Sequence, residues 1–256
     1  MHIAVFTRST PDTAASISVD ANGRVNWGDA ALVVNPWDEY ALEEAITRSK
    51  DAGGKATVVA IGGEMNADAL KHALAMGIDE AARVDDPALE GADSLAYAVT
   101  AAAAARKLGA TLIFAGRESV DVNSDQHLVQ MARKLGWPYL SNVARIVTLS
   151  EDSVTVDRLT DGGKQTVTSP VPAVLTVTKE INEPRYPSFI GIRKASKAVI
   201  PVWSLADLGV TLPNARASVA AYRNLPARET KTEMITGTPA EQAATLADRL
   251  IEEKVL

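Results

Sequence analysis

Short apolar runs rich in β-branched residues recur through the first half of the chain and alternate with longer segments of helical periodicity. The runs predict strands covered on both faces, because they lack a regular alternation with polar residues. They lie at residues 3–6, 56–61, 80–84 and 111–115. Alanine-rich segments at 66–76 and 93–108 predict helices between them. This alternation predicts an α/β fold with a doubly wound, mostly parallel sheet.

A further helix is predicted to begin at residues 35–38, where the sequence carries a start signal. Asn35 is predicted at the N-cap, Pro36 at the first helical position, and Asp38 supplies an acid in the first turn. Apolar residues follow at helical spacing, so one face of this helix is predicted to pack on the core.

Beyond Trp137-Pro138 the pattern changes, because apolar residues alternate or cluster around polar turns. This change predicts a smaller antiparallel portion of the sheet. Its strands are predicted at 143–149, 153–159 and 165–168, with a turn at 161–163 between the last two. Segment 172–179 predicts one more apolar strand.

The last part of the chain differs again, because residues 211–236 have weak periodicity and many charges. They predict an extended arm, so the boundaries are set at an α/β domain over 1–210 and a C-terminal arm with its helix over 211–256. A capping box at residues 238–241 opens that helix. Its single apolar stripe needs a surface, which either a partner chain or the chain's own domain supplies.

Composition narrows the classes of protein that remain. The 256 residues carry a net charge of -6, which gives no electrostatic case for nucleic acid or an anionic membrane. The absence of cysteine removes disulfides, thiolate metal sites and cysteine nucleophiles. His2, His72 and His127 lack metal-ligand spacing, so no metal site is predicted. No signal peptide and no apolar run of about 18 residues is found, so a cytoplasmic protein is expected.

The strongest candidate for a binding site is the polar segment 116–127, which follows a predicted buried strand. Ligands of parallel sheets bind at the carboxyl ends of the strands, where residues 35–38 are also expected. Backbone N–H groups near Ser124 to His127 either hold a phosphate at a helix N-terminus, or the polar residues there merely cap the helix.

Several single residues keep two interpretations. Arg8 and Arg117 either neutralise a phosphate or are surface charges, and His127 either contacts a ligand or is an exposed loop histidine. The basic cluster of Arg193, Lys194 and Lys197 either steers an acidic partner or is solvated. Motifs for a Walker loop, a Gly-x-Gly-x-x-Gly turn or a Gly-x-Ser-x-Gly nucleophile are missing, and no catalytic residue is predicted.

The segment from Val156 to Thr176 resembles the signature of the electron-transfer flavoprotein β subunit. Its matching positions are Val156, Arg158, Asp161, Gly162, Gly163, Gln165, Val167, Pro172, Val174, Leu175 and Thr176. Residues 35–45, Trp137-Pro138, the run 182–188 with Ile192 and Lys194, and the helix start at 237–239 are similar to that family too. The resemblance therefore covers the whole chain.

The resemblance implies a Rossmann-like, adenine-nucleotide-binding fold and a heterodimer with an α subunit that holds most of an FAD. Electrons come from acyl-CoA or other dehydrogenases and leave toward a quinone oxidoreductase or another acceptor. The β subunit is implied to be a redox carrier rather than a stand-alone enzyme, and to bury a structural AMP. Its C-terminal helix is implied to pack on the α subunit.

The same resemblance assigns residues to these roles. For the AMP pocket it implies Phe6, Asn35, Pro36, Trp37, Asp38, Ile61, Gly116, Arg117, Asp121, Asn123, Ser124, Asp125, Gln126 and His127. Thr13 and Trp37 are implied to approach the FAD. The exposed loop 187–197 is implied to recognise the dehydrogenase, with Pro187, Phe189, Ile190, Arg193 and Lys194 in it and Phe189 as its apolar anchor. His127 and Leu128 replace the Val-Gly of members that bind a second FAD, which argues against electron bifurcation.

Two other classes of protein remain as alternatives. An adenine-nucleotide hydrolase or ligase on a similar sheet wants a Ser-Gly-Gly-x-Asp-Ser loop, and residues 60–65 lack its serines and its aspartate. A nucleotide-sensing stress protein needs neither the loop at 187–197 nor the C-terminal arm.

Overall fold

The computed structural model describes residues 1–123, 126–226 and 232–255. The strands of this part are β1 (His2–Thr7), β2 (Ser9–Pro11), β3 (Ser18–Val19), β4 (Val25–Asn26), β5 (Leu32–Val34), β6 (Lys55–Ile61), β7 (Glu80–Val84), β8 (Leu112–Gly116), β9 (Tyr139–Leu149), β10 (Ser153–Thr160), β11 (Gly163–Pro170), β12 (Ala173–Val177) and β13 (Val202–Trp203). The helices are α1 (Pro36–Asp51), α2 (Ala67–Met76), α3 (Ser94–Leu108), α4 (Gln126–Leu135), α5 (Phe189–Ala195) and α6 (Pro239–Glu252).

One nine-stranded sheet forms the centre of the fold, in the order β11-β10-β9-β12-β8-β1-β6-β7-β13. Seven neighbouring strands of this sheet pair in parallel, namely β9, β12, β8, β1, β6, β7 and β13. Strand β10 instead pairs antiparallel with both β9 and β11. The predicted doubly wound, mostly parallel sheet with a smaller antiparallel portion is confirmed. Every residue of β8 and β12 is buried, as expected for strands with continuous apolar runs.

Two apolar layers cover the two faces of the sheet. On one face, Leu42 and Ile46 of α1 and Leu70 of α2 join a buried cluster with the sheet. On the other face, the alanines of α3 join Met131 of α4 in a second cluster. Alanine at these positions brings the helix backbone close to the strands, because no long side chain separates them. The layers leave the carboxyl ends of the central strands open.

Some elements were not predicted from the sequence pattern. Residues 9–34 contain two short antiparallel pairs, β2 with β5 and β3 with β4. Strand β9 begins four residues before the predicted start at 143, because its first residues pair in parallel with β12 and its later residues pair antiparallel with β10. A strand that changes partners along its length has no single hydrophobic period, so the pattern predicted only its second part.

Two units divide the chain, Met1–Tyr222 and Arg223–Leu256. In the second unit, α6 begins with the capping box that the sequence predicts, in which Thr238 and Glu241 bond each other's backbone N–H groups. No residue of α6 is buried, and Leu246 and Ile251 are 50% and 61% exposed. Among the described helices, none combines the length and the apolar character that a membrane crossing requires.

Candidate functional site

A cavity of about 430 Å³ lies at the carboxyl ends of β1, β6 and β8 in the first unit. Six residues that the sequence analysis assigned to a nucleotide pocket line it: Phe6, Asn35, Asp38, Ile61, Gly116 and His127. They come from four separate parts of the chain, and the parallel sheet brings them together because its strand ends meet at one edge.

The other predicted residues of the pocket take different places. Among the described residues, Pro36, Trp37, Arg117, Asp121, Asn123 and Gln126 are outside the lining of the cavity. Ser124 and Asp125 lie outside the described residues. Thr13 is an exposed turn residue between β2 and β3.

Asp38 is the buried charge beside the cavity, with 5% of its surface exposed. Its Oδ1 accepts a hydrogen bond from the Gly116 backbone N–H at 2.8 Å, and its Oδ2 accepts one from the Thr7 hydroxyl at 3.0 Å. Burial raises the pKa of Asp38 from 3.8 to about 6, although these hydrogen bonds oppose the shift. This side chain therefore joins β1, α1 and β8 at the cavity.

Gly116 is required at the end of β8 because α1 approaches it closely. A Cβ built at this position would lie 2.5 Å from both the carbonyl carbon and the Cβ of Trp37, and 2.7 Å from Oδ1 of Asp38. Real Cβ contacts do not reach such distances. The absence of a side chain thus lets the first turn of α1 meet the strand end.

Asn35 occupies the N-cap position that the sequence predicts, but its side chain does not cap α1. Its Nδ2 donates to the Glu118 carbonyl at 3.0 Å, and its Oδ1 accepts from the Val120 N–H at 3.1 Å. The backbone carbonyl of Asn35 already accepts the N–H of Asp38 at 2.8 Å, which frees the side chain for this role. Asn35 therefore fixes the loop after β8.

Tyr97 and His127 form an aromatic wall of the cavity. Their ring centroids lie 5.4 Å apart at an interplanar angle of 75°. His127 is half-buried in the first turn of α4, so the interpretation as an exposed loop histidine is wrong. The Tyr97 hydroxyl donates to the Ile61 carbonyl, and burial raises the pKa of Tyr97 to about 12.

Positive charge at the cavity comes from Arg8, which pairs with Asp121 at 2.8 Å. The Ser119 hydroxyl donates to the same carboxylate. The guanidinium of Arg117 instead lies 5.2 Å from the centroid of the Trp37 ring, outside the lining of the cavity. The two arginines, equivalent in the sequence analysis, therefore have different environments.

One wall of the cavity was missed by the sequence analysis. It consists of the start of α3 and the distant residues 217–219, both of which line the cavity. Asp93 joins them, because its Oδ1 caps α3 through the Ala96 N–H at 3.0 Å and its Oδ2 accepts the Arg216 N–H at 2.6 Å. Tyr97 is the one aromatic residue of the alanine-rich α3. This contrast is the sequence signal that could have pointed to Tyr97 as a residue lining the cavity.

The segment predicted as an exposed recognition loop contains a short helix. Ser188 caps α5 by accepting the Gly191 N–H at 3.0 Å, which corrects the prediction of a loop throughout 187–197. Tyr186, Phe189 and Ile190 are 94%, 93% and 83% exposed. Pro187 is half-buried, and Arg193 and Lys194 are exposed in the last turn of α5. An apolar surface with a basic edge results, and we call residues 186–194 the apolar segment.

Comparison with known proteins gives a consistent family. The model of the electron transfer flavoprotein domain matches residues 28–208. An electron transfer flavoprotein subunit beta of Clostridium acetobutylicum is 33% identical over 99% of this chain and 99% of its own length. That of Bacillus subtilis is 30% identical over 99% and 98%. Subunit CarD of the caffeyl-CoA reductase-Etf complex of Acetobacterium woodii is 31% identical over the full length of both chains.

Proposed function

The chain belongs to the electron transfer flavoprotein β-subunit family, and from this premise we propose that it works as one half of a heterodimer. In the proposal, an α subunit holds most of an FAD, which supplies the electron-carrying chemistry when bound. Electrons enter from dehydrogenases and leave toward a quinone oxidoreductase or another acceptor. The present chain binds a structural AMP, orients the flavin-bearing subunit and docks the electron donor.

The proposal rests mainly on helix α6 of the second unit, Arg223–Leu256. Helix α6 has an apolar stripe but no buried residue, and a helix of 14 residues gains most of its stability from packing. The surface it covers is proposed to be the α subunit. Under this proposal, the helix of the arm over 211–256 is the assembly element. The domain over 1–210 supplies most of the nucleotide cavity, and residues 217–219 of the arm complete its lining.

The cavity supports the proposal of AMP. Its volume of about 430 Å³ lies in the range of small-molecule sites. The rings of Phe6, Tyr97 and His127 and the side chain of Ile61 suit a flat base, whereas Arg8 suits a phosphate. Ser94 adds a hydroxyl donor. This donor set fits a nucleotide with little negative charge, because Asp121 already compensates Arg8.

For the flavin and for the donor, the proposal uses surface residues. Trp37 is half-buried and Thr13 is exposed, so both are accessible to an FAD held by another chain. The apolar segment is the proposed dock for the dehydrogenase, with Phe189 as its anchor and Arg193 and Lys194 as its basic edge. The relative named as part of a caffeyl-CoA reductase-Etf complex supports a reductase or dehydrogenase as the partner.

Co-expression with an electron transfer flavoprotein α subunit of the same organism is expected to yield a yellow complex of one copy of each subunit. The apolar stripe of α6 is expected to bind the α subunit, so Leu246→Asp should reduce recovery of the heterodimer about tenfold or more, the loss expected when a charge enters an apolar contact. Flavin absorbance and the subunit ratio after size-exclusion chromatography measure the result.

Thr245→Asp is the matched control, because Thr245 is exposed and lies off the apolar stripe of the same helix. It adds the same charge and should leave the complex intact. If no stable flavin-containing heterodimer forms with the unaltered chain, the proposed function is wrong.

The nucleotide is tested on the same heterodimer. We expect mass spectrometry of the denatured complex to find one AMP for each β chain, because Arg8 and the rings of Tyr97 and His127 line the same cavity. Arg8→Gln should lower the AMP content while the flavin content stays at one FAD for each heterodimer. A second FAD in place of AMP, or a heterodimer without any adenine nucleotide, would contradict this assignment.

A further inference from the structure

The segment that leads into α5 is tied to α1 by an arginine and an asparagine. Arg185 donates to Glu43 from Nε at 2.7 Å, from Nη2 at 2.6 Å and from its backbone N–H at 3.2 Å. Three residues earlier, Nδ2 of Asn182 donates to the Glu44 carboxylate and to the Tyr40 carbonyl, each at 3.0 Å. Two neighbouring turns of α1 therefore hold this segment.

We propose that Glu43 and Arg185 are positioning residues for the docking of the electron donor, because their ion pair fixes the direction in which α5 presents Phe189 and Ile190. The inference rests on the proposed docking role of the apolar segment. It adds to that role that the apolar segment is held in its binding orientation before the electron donor binds.

The geometry of the Glu43–Arg185 pair separates it from ordinary surface ion pairs. The Glu43 side chain is 11% exposed, whereas both side chains of the Lys55–Glu80 pair are about half exposed. Two guanidinium nitrogens meet the two carboxylate oxygens, which fixes the angle of Arg185 as well as its distance. The Arg185 contacts are the first cause of the lowered pKa of Glu43.

Helix α5 needs such an external hold, because seven residues are too few for a stable isolated helix. Helix α5 itself packs on α2, where a Cβ at Gly191 would lie 2.2 Å from the Ala75 carbonyl oxygen. Gly191 thus lets α5 lie directly on α2, and the ion pair fixes the segment that precedes it. These two contacts hold α5 while Phe189 and Ile190 stay exposed.

A preformed apolar segment favours fast and efficient docking. Ordering a mobile segment during association costs conformational entropy, and a segment that is already ordered avoids that cost. Loss of the ion pair should therefore weaken encounter with the donor without changing electron transfer inside the docked complex. This separates a positioning role from a role in the transfer step itself.

The test uses the flavin-loaded heterodimer as the electron acceptor of a purified acyl-CoA dehydrogenase supplied with its acyl-CoA. For Glu43→Gln we expect the KM for the heterodimer to rise about tenfold while kcat stays within twofold. Hydrogen exchange of the amides at 186–195 should become faster, with the amides of β8 unchanged. Arg185→Lys keeps the positive charge but loses the two-nitrogen contact of the guanidinium. Its KM should therefore lie between that of the unaltered heterodimer and that of Glu43→Gln.

Glu80→Gln is the control, since it removes the half-exposed ion pair with Lys55, which does not involve the segment before α5, and it should leave both measurements unchanged. Unchanged exchange at 186–195 in Glu43→Gln would overturn the proposal. So would faster exchange with an unchanged KM, provided that Phe189→Ala raises the KM. If Phe189→Ala also leaves the KM unchanged, the docking role itself fails, and this proposal with it.

Discussion

Gly116→Ala is expected to lower the free energy of unfolding by about 3 kcal/mol, at the upper end of the usual cost of overpacking. The added methyl group would lie 2.5 Å from the Trp37 backbone carbon and 2.7 Å from the Asp38 carboxylate. Neither neighbour is the free end of a flexible side chain, so α1 must move away from β8. Urea unfolding followed by circular dichroism measures the loss.

The displacement should also reach the cavity, because Asp38 and Asn35 line it from the same end of α1. We therefore expect Gly116→Ala to bind less adenine nucleotide than the unaltered protein. Gly63→Ala is the control: no atom lies within 4 Å of its added Cβ, and its φ of -65° suits any residue. Its stability should change by less than about 1 kcal/mol. Equal stability of the two variants would refute the tight contact at Gly116.

Asp38→Ala is expected to cost about 3 kcal/mol at pH 7, because two buried hydrogen-bond donors lose their acceptor and each such loss costs about 1–3 kcal/mol. The donors are the Gly116 N–H and the Thr7 hydroxyl. Asp38→Asn is the matched variant, since its amide oxygen can accept from Gly116 while its NH₂ donates to the Thr7 oxygen. It should retain the stability that Asp38→Ala loses.

The pH dependence separates the two forms of Asp38. Its pKa in the folded state, about 6, lies above its ordinary value of 3.8, so the folded protein favours the protonated acid. The resulting stability is present in full below pH 3.8 and is lost as the pH rises through 6, with a span of about 3 kcal/mol.

Asn cannot ionise, so Asp38→Asn does not lose this stability. Its free energy of unfolding should therefore rise relative to that of the unaltered protein between pH 4 and pH 7. Urea unfolding at these two pH values measures it. A difference that does not change with pH would show that folding does not raise the pKa of Asp38.

The sequence predicted the central sheet well because its strands are defined locally. The run at 80–84 matches β7, and the predicted turn at 161–163 joins β10 to β11, with Thr160 opposite Gly163 in the register. Continuous apolar residues are needed wherever both faces of a strand are covered, whatever else the fold contains. Such strands can therefore be recognised from their own residues alone.

The candidate site was predicted in part, for a physical reason visible in Asn35 and Asp93. Asn35 was placed correctly in sequence, but its side chain serves a loop more than 80 positions away, at Glu118. Asp93 bonds the backbone of Arg216 across 123 positions. Local capping rules predict where such residues stand, yet tertiary contacts decide which donor they meet.

Helix α5 was not predicted, because it too depends on contacts between distant parts of the chain. Seven residues with Gly191 inside them have little helical propensity, so the sequence indicated a loop. Their helical form depends on the close approach to α2 and on the ion pair with α1, both of which join distant parts of the chain. The exposure expected for Phe189 in a loop is found on the helix.

Residues 217–219 complete the cavity, and this has a consequence for the order of events during synthesis. A ribosome releases the chain from its N-terminus, so β1, α1, α3 and β8 emerge and can fold before that last wall exists. The nascent protein therefore has a half-open cavity while translation continues. The cavity is completed by one of the last segments to be made, which precedes in the chain the helix proposed to bind the partner.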